Sequence, residues 1–69
     1  MGWSGTRVYY AEKNGKFFCF DTIKQRNDAV KNHGMEAVPS GDIYKYRIKY
    51  TKIPIEKYAD FVANVVDKI

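Results

Sequence analysis

The chain has 69 residues, of which 45% are hydrophobic, 16% aromatic and 29% charged, and its formal net charge is +4. A chain this short buries only about 60% of the surface that its unfolded form exposes, so residues 1–69 are expected to form a single compact domain. This size counts against catalytic folds with a deep cleft between two lobes. The many aromatic and β-branched residues also exclude an intrinsically disordered chain.

Signals for compartment and processing are few. Cys19 is the single cysteine, so no intramolecular disulfide can form and a reducing environment is the simpler expectation. The N-terminus lacks the basic and apolar regions of a signal peptide. No apolar run approaches the roughly 20 residues that span a bilayer. We therefore expect a cytoplasmic protein with no membrane partner.

Two strands joined by a tight turn are predicted first. Residues 6–12 and 16–20 are rich in β-branched and aromatic residues. Asn14-Gly15 lies between them, and Asn-Gly is typical of the type I′ turn, which needs positive φ at both central residues. This turn sets the register, which pairs Lys13 with Lys16, Glu12 with Phe17, Ala11 with Phe18, Tyr10 with Cys19 and Tyr9 with Phe20.

A helix is predicted after the hairpin. Thr22 and Gln25 have the spacing of a capping box, and Asp21 adds negative charge at the helix start. We expect the helix to run over about residues 23–32. Gly34 follows it and suits the left-handed conformation that ends a helix. Its apolar stripe is thin, as in a helix that packs on one side only.

The longest strand signal lies in the second half of the chain. Residues 35–38 predict a short edge strand, and Pro-Ser-Gly-Asp at 39–42 predicts a turn. In residues 43–53, apolar or aromatic and polar side chains alternate almost perfectly, which predicts a strand with one buried face and one solvent face. The expected buried residues are Tyr44, Tyr46, Ile48 and Tyr50, and the expected solvent-facing residues are Lys45, Arg47, Lys49 and Thr51.

Pro54 ends this strand and suits the first position of a helix. We predict that helix over about residues 55–68, because apolar residues recur there at three- and four-residue spacing. The element order is β-β-α-(β)-β-α. It predicts an α+β fold in which two helices pack on one face of a small antiparallel sheet of three or four strands. The expected helix stripe is Ile55, Tyr58, Val62, Val65 and Ile69, and it is widened by Phe61 and Val66.

Signals for catalysis and metal binding are weak. A zinc site takes about four Cys or His ligands, and this chain has only Cys19 and His33. The aromatic neighbours of Cys19 are expected to raise its pKa and to leave it an unreactive, buried residue. No glycine-rich segment matches a phosphate-binding loop. We therefore expect no enzyme activity, no metal and no cofactor.

The basic residues are concentrated in the predicted strand at 43–53. This segment holds four cations and no acid, and their total charge equals the net charge of the whole chain, +4. On a strand, Lys45, Arg47 and Lys49 would share one face at intervals of about 7 Å, which resembles the spacing of phosphates along a nucleic-acid strand. A solvated strand face, or an edge strand protected by lysines, explains the same pattern without any ligand.

The predicted hairpin has two apolar faces, of which only one can lie under the two helices. One face carries Val8, Tyr10, Phe17 and Cys19; the other carries Tyr9, Ala11, Phe18 and Phe20. If the first face is the core, the second exposes aromatic rings among cations, as in single-strand nucleic-acid binding. A partner or homodimer interface, or a cover formed by the segment around Trp3, is the alternative. The candidate nucleic-acid-binding residues are Arg7, Tyr9, Phe18, Phe20, Lys45, Arg47 and Lys49.

We therefore expect a small non-catalytic binding module that contacts nucleic acid, RNA or single-stranded DNA, through a basic and aromatic sheet face. The alternative is a small protein-binding regulator or inhibitor, of the kind that phages and plasmids encode. In that case the same face binds a protein partner or a second copy of the chain in a homodimer. The first hypothesis requires the basic residues for binding, whereas the second depends more on the aromatic ones.

Overall fold

Residues 8–69 are described by a computed structural model, in which they form a four-stranded mixed sheet with three helices. The predicted α+β class is confirmed, and so is the predicted order of elements apart from one additional helix. The strands are β1 (Tyr9–Lys13), β2 (Lys16–Phe20), β3 (Glu36–Val38) and β4 (Thr51–Ile53). The helices are α1 (Ile23–Asn32), α2 (Ser40–Lys45) and α3 (Tyr58–Asn64), and 3₁₀ turns at Ile55–Lys57 and Val66–Lys68 flank α3.

The strands lie in the order β3-β1-β2-β4. Strand β1 pairs antiparallel with β2 and with β3, whereas β2 pairs parallel with β4. The prediction of a purely antiparallel sheet is therefore wrong at β4. Two helices and a strand separate β2 from β4, and only a connection of that length allows parallel pairing.

The hairpin prediction is confirmed in every pair of its register. Asn14 and Gly15 have φ values of 51° and 80°, as the type I′ turn requires. Two side chains near the turn also reach the end of the chain. Lys13 Nζ donates to the carbonyl of Val66, and Asn14 Nδ2 donates to the carbonyl of Ile69, both at 2.9 Å. The turn is thereby fastened to the segment that follows α3.

Helix α1 begins and ends where the capping signals predicted. The N–H of Gln25 donates to Thr22 Oγ1 at 3.2 Å, and Gly34 follows the helix with a φ of 71°. Helix α1 packs on the sheet through buried Ala29. A hydrogen bond of 2.6 Å from Tyr58 Oη to Asp28 Oδ2 ties α1 to α3.

The main core lies between one face of the sheet and helices α1 and α3, so the prediction that two helices cover the same face is confirmed. Aromatic rings fill its centre. The ring centroid of Phe61 lies 4.9 Å from that of Phe18 and 5.7 Å from that of Phe20. The buried residues of this core are Ala11, Phe18, Phe20, Ala29, Met35, Ile53, Phe61 and Val66.

The apolar stripe of the last helix is placed differently from the prediction. Only Tyr58–Asn64 is α-helical, and the 3₁₀ turns on either side rotate the chain at about 3.0 residues per turn instead of 3.6. Ile55 and Val65 are consequently exposed, while Phe61 and Val66 are buried. The predicted stripe is therefore wrong at Ile55 and Val65, whereas Tyr58, Val62 and Ile69 pack against the core as expected.

Helix α2 covers the opposite face of the sheet and was not predicted. The predicted strand at 43–53 is wrong for residues 43–50, since only Thr51–Ile53 joins the sheet. Pro39 is extended, Asp42 lies in the first turn of α2, and the N–H of Asp42 donates to the carbonyl of Pro39 at 3.0 Å. Proline and an acid are typical of a helix start, so the segment that predicted a turn begins a helix instead.

A Schellman motif ends α2. The N–H of Ile48 donates to the carbonyl of Ile43 at 3.1 Å, and both side chains pack in one apolar cluster. Arg47, between α2 and Ile48, has a φ of 52°. Glycine is the usual residue at this left-handed position, so an arginine here adopts an unfavourable backbone conformation.

Candidate functional site

The structure buries two of the aromatic residues that were predicted to bind nucleic acid. Phe18 and Phe20 lie beneath α3 and are almost completely inaccessible. The prediction that they stack bases on an open sheet face is therefore wrong, because α1 and α3 cover that face. Tyr9 is half-buried, and the guanidinium carbon of Arg26 lies 5.9 Å from its ring centroid. Arg7 and Trp3 lie outside the described residues.

The other hairpin face is covered as well. Tyr10, Cys19 and Ile43 form a second buried cluster beneath α2. Neither face of the hairpin is therefore open to solvent as a whole. Helices α1 and α3 cover one face, and α2 covers the other.

The three basic residues of the predicted strand lie on three different kinds of backbone. Lys45 is the last residue of α2, Arg47 occupies the left-handed turn, and Lys49 precedes β4 in the connecting segment. The prediction that they share one strand face at regular intervals is wrong, because residues 43–50 are not a strand. All three side chains are nevertheless exposed.

Three tyrosines accompany these cations on the surface. The exposed fraction is 69% for Tyr44, 63% for Tyr46 and 45% for Tyr50. Together with the cations they make the sequence Tyr-Lys-Tyr-Arg-Ile-Lys-Tyr, which we name the basic tyrosine segment (residues 44–50). It places three exposed aromatic rings and three exposed cations within seven consecutive residues.

The basic tyrosine segment is anchored to the sheet by the second cluster. Ile48 packs against that cluster. The ring of buried Tyr10 meets the ring of Tyr50 edge to face, with centroids 5.0 Å apart. Burial, and then hydrogen bonding with Tyr44 and Tyr50, raises the pKa of Tyr10. Tyr10 thus keeps its proton, and its ring packs against that of Tyr50.

The charge of the basic tyrosine segment is largely unopposed. Among residues 8–69, no carboxylate lies within 4.0 Å of Lys45, Arg47 or Lys49. Lys45 Nζ lies 5.3 Å from the ring centroid of Tyr46. Lys52, by contrast, has its Nζ 3.9 Å from Asp21 Oδ1. The three cations of the segment therefore face solvent and are accessible to an anionic ligand.

Cys19 and His33 lie in different parts of the fold. Cys19 lies in the cluster beneath α2, and burial raises the pKa of its thiol. His33 follows α1, and its Nε2 lies 3.5 Å from Asp28 Oδ2. Within the described part of the chain, no group of three or more His, Cys, Asp or Glu side chains is placed to hold a metal ion. The chemistry offered by the basic tyrosine segment is that of cations and aromatic rings.

Sequence reasoning missed the three tyrosines because it placed them on the buried face of a strand. A signal was present at residues 39–42, where proline, serine and an acid are typical of a helix start. A helix beginning there removes the two-residue alternation from residues 43–45. The same residues then point in several directions, with Ile43 buried and Tyr44 exposed.

The helices within residues 8–69 lack the length and hydrophobicity of a transmembrane span. No family model, curated protein or solved structure matches this chain. Its function is therefore inferred from its own residues.

Proposed function

We propose that this protein is a small non-catalytic module that binds nucleic acid, RNA or single-stranded DNA, through the basic tyrosine segment. The observation that carries the proposal is the exposure of three tyrosines and three cations within residues 44–50. Cations neutralise phosphates, and a base stacked on an aromatic side chain contributes about 1–3 kcal/mol. The segment supplies both kinds of contact.

The distribution of charge supports this proposal. No acid lies between Asp42 and Glu56, and the cations in that interval carry as much charge as the whole chain, +4. The remainder of the chain is therefore neutral on balance. A charge concentrated in one segment attracts a polyanion towards that segment and increases the rate of encounter.

The strained backbone at Arg47 also supports the proposal. A left-handed conformation costs an L-residue roughly 1–2 kcal/mol, and glycine would avoid this cost. Such strain is found most often at functional positions, where the surrounding structure maintains it. In this chain, the strained residue is also the central cation of the basic tyrosine segment.

The test replaces Lys45, Arg47 and Lys49 together by Gln and measures binding of a labelled single-stranded RNA by fluorescence anisotropy at several salt concentrations. We expect weaker binding, and a plot of log affinity against log salt whose slope decreases by roughly 0.7 for each lost phosphate contact. The fold should persist because all three side chains are exposed.

A matched control removes the same charge elsewhere, by replacing Lys24, Lys31 and Lys57, which are also exposed. We expect this variant to bind much like the wild type. If both triple variants bind RNA equally weakly, binding depends on net charge in general and not on residues 44–50. A wild-type protein that binds neither RNA nor single-stranded DNA at about 150 mM salt would refute the proposal.

Binding of a protein partner, as a regulator or inhibitor or in a homodimer, is the second candidate. Tyrosine and arginine are enriched among the residues that dominate protein interfaces, and both are exposed in residues 44–50. This candidate predicts a discrete dimer or complex in size-exclusion chromatography with light scattering. It also predicts that replacing Tyr44 and Tyr46 by Ala disrupts assembly more than replacing the cations does.

A further inference from the structure

A groove of about 490 Å³ opens beside the basic tyrosine segment. It exists because β4 pairs with β2 only from Phe18 onwards, where Phe18 faces Thr51. Lys16 and Phe17, the first two residues of β2, therefore have no partner in β4. The volume lies within the range of about 300–1,000 Å³ that is typical of sites for small ligands.

The lining of this groove combines aromatic, apolar and cationic groups. Phe17 and Tyr50 contribute rings, Val65 contributes an apolar side chain, and Lys16 and Lys49 contribute charge. None of the described residues that line it has an acidic side chain. Such a lining suits a ligand that has a flat apolar part and negative charges on either side of it.

We infer that the groove binds one unstacked base of a single-stranded nucleic acid, and that Lys16 and Lys49 contact the phosphates on either side of this base. This inference rests on the proposed function. Stacking on aromatic rings is independent of base identity because every base has a π-face. In a duplex the bases are paired inside the helix, so the groove selects single strands. Lys16 adds a cation on β2 to those of the basic tyrosine segment.

An acidic peptide is the other ligand with suitable charge. The groove favours a nucleic acid because Lys49 and Tyr50 belong both to its lining and to the basic tyrosine segment. A single strand that binds along residues 44–50 can therefore place its next base in the groove. A peptide carboxylate would use the lysines but would leave the ring of Tyr50 without a stacking partner.

The test compares two variants that add the same charge at adjacent positions. Val65→Glu places a carboxylate in the groove, whereas Asn64→Glu places it on the neighbouring exposed residue outside the lining. The probes are a labelled oligothymidylate of about 12 nucleotides, an abasic strand of equal length and a duplex of equal length. Circular dichroism melting confirms that both variants are folded, which is expected because both positions are exposed.

We expect the wild type to bind the oligothymidylate at least tenfold more tightly than the abasic strand, because a single stacked base already accounts for about that factor. It should also bind this strand more tightly than the duplex. Val65→Glu should weaken binding of the oligothymidylate about tenfold, and Asn64→Glu should have little effect. Lys16→Gln should reduce the salt slope by roughly 0.7.

Equal effects of the two glutamate variants on binding of the oligothymidylate would overturn the groove inference and leave the proposed function in place. Equal binding of the three probes would overturn both, because the proposed function also requires single strands and base stacking. A wild type that binds none of the probes would overturn both. Tight binding of a polyglutamate peptide that Val65→Glu abolishes, together with equal binding of the single strand and the abasic strand, would assign the groove to an acidic peptide instead.

Discussion

The two faces of the sheet are covered to different depths. Of the residues from 8 onwards, α1 and α3 enclose eight that are buried on one face, all of them apolar. On the other face, α2 and the connection to β4 enclose three of these described residues, one of which is Tyr10 with its polar hydroxyl. Because burial of apolar surface is the main favourable term in folding, the first face supplies most of the stability. The second face needs only Ile43 from α2, and the remaining side chains of α2 are left to contact solvent or a ligand.

The largest effect is expected on the face covered by α1 and α3. Phe20 is fully buried and contacts the rings of Tyr58 and Phe61. Phe20→Ala should lower the free energy of unfolding by about 3–5 kcal/mol, which approaches the whole stability of a small domain. Urea unfolding followed by circular dichroism measures this loss. Tyr46→Ala, at the exposed end of α2, is the control and should change stability by less than about 0.5 kcal/mol.

A smaller effect is expected beneath α2. Tyr10→Phe keeps the ring that meets Tyr50 but removes the buried hydroxyl that interacts with Tyr44 and Tyr50. We expect a loss of about 0.5–1.5 kcal/mol in the free energy of unfolding, with weaker RNA binding because two tyrosines lose their support. Tyr46→Phe, which removes an exposed hydroxyl, is the matched control for stability. If both variants unfold at the same urea concentration, Tyr10 does not hold the segment through its hydroxyl.

Arg47 offers a change in which stability and binding move in opposite directions. Arg47→Gly removes the strain of the left-handed backbone and should raise the free energy of unfolding by about 1 kcal/mol. The same change removes a cation and should weaken RNA binding. Arg47→Lys retains both the charge and the strain, so it should resemble the wild type in thermal unfolding and in affinity. A glycine variant that is less stable than the wild type would contradict the account of strain at this position.

The elements set by local signals could be predicted, and those set by contacts distant in sequence could not. Asn14-Gly15 determines the hairpin through its own φ values, and Thr22 with Gly34 determines the limits of α1. The alternation in residues 43–50, however, fits a strand in isolation. The structure has a short helix there instead, because Ile43 and Ile48 both pack on the second cluster. No local sequence pattern encodes this contact with a distant part of the chain.

The candidate site was predicted only in its charges. Lys45, Arg47 and Lys49 are exposed as expected, because cations are rarely buried without a partner. The aromatic component was placed on Phe18 and Phe20, but the structure exposes Tyr44 and Tyr46 instead. Aromatic residues occur both in cores and on binding surfaces, so their identity alone does not indicate on which side of a helix layer they lie.

The smallest effect on stability is expected at the hydrogen bond between Tyr58 of α3 and Asp28 of α1. This bond lies at the surface of the face that α1 and α3 cover. Asp28 accepts hydrogen bonds of 2.6 Å from Tyr58 Oη and from Asn32 Nδ2. These bonds, that from Tyr58 first, lower the pKa of the Asp28 carboxyl. Because the folded protein favours the ionised form, the stabilisation is present above the unfolded pKa of about 3.9 and is lost as pH falls through the folded pKa.

Asp28→Asn should therefore be less stable than the wild type at neutral pH, and the difference should shrink as the pH falls below about 4. We expect a difference of less than about 1 kcal/mol, since the side chain is 42% exposed and solvent screens its interactions. Urea unfolding of both proteins at neutral and acidic pH measures it. Tyr58→Phe removes the main cause of the lowered pKa, so it should show the same reduced dependence on pH. A stability difference between wild type and Asp28→Asn that persists unchanged into acid would mean that Asp28 acts by shape and not through its charge.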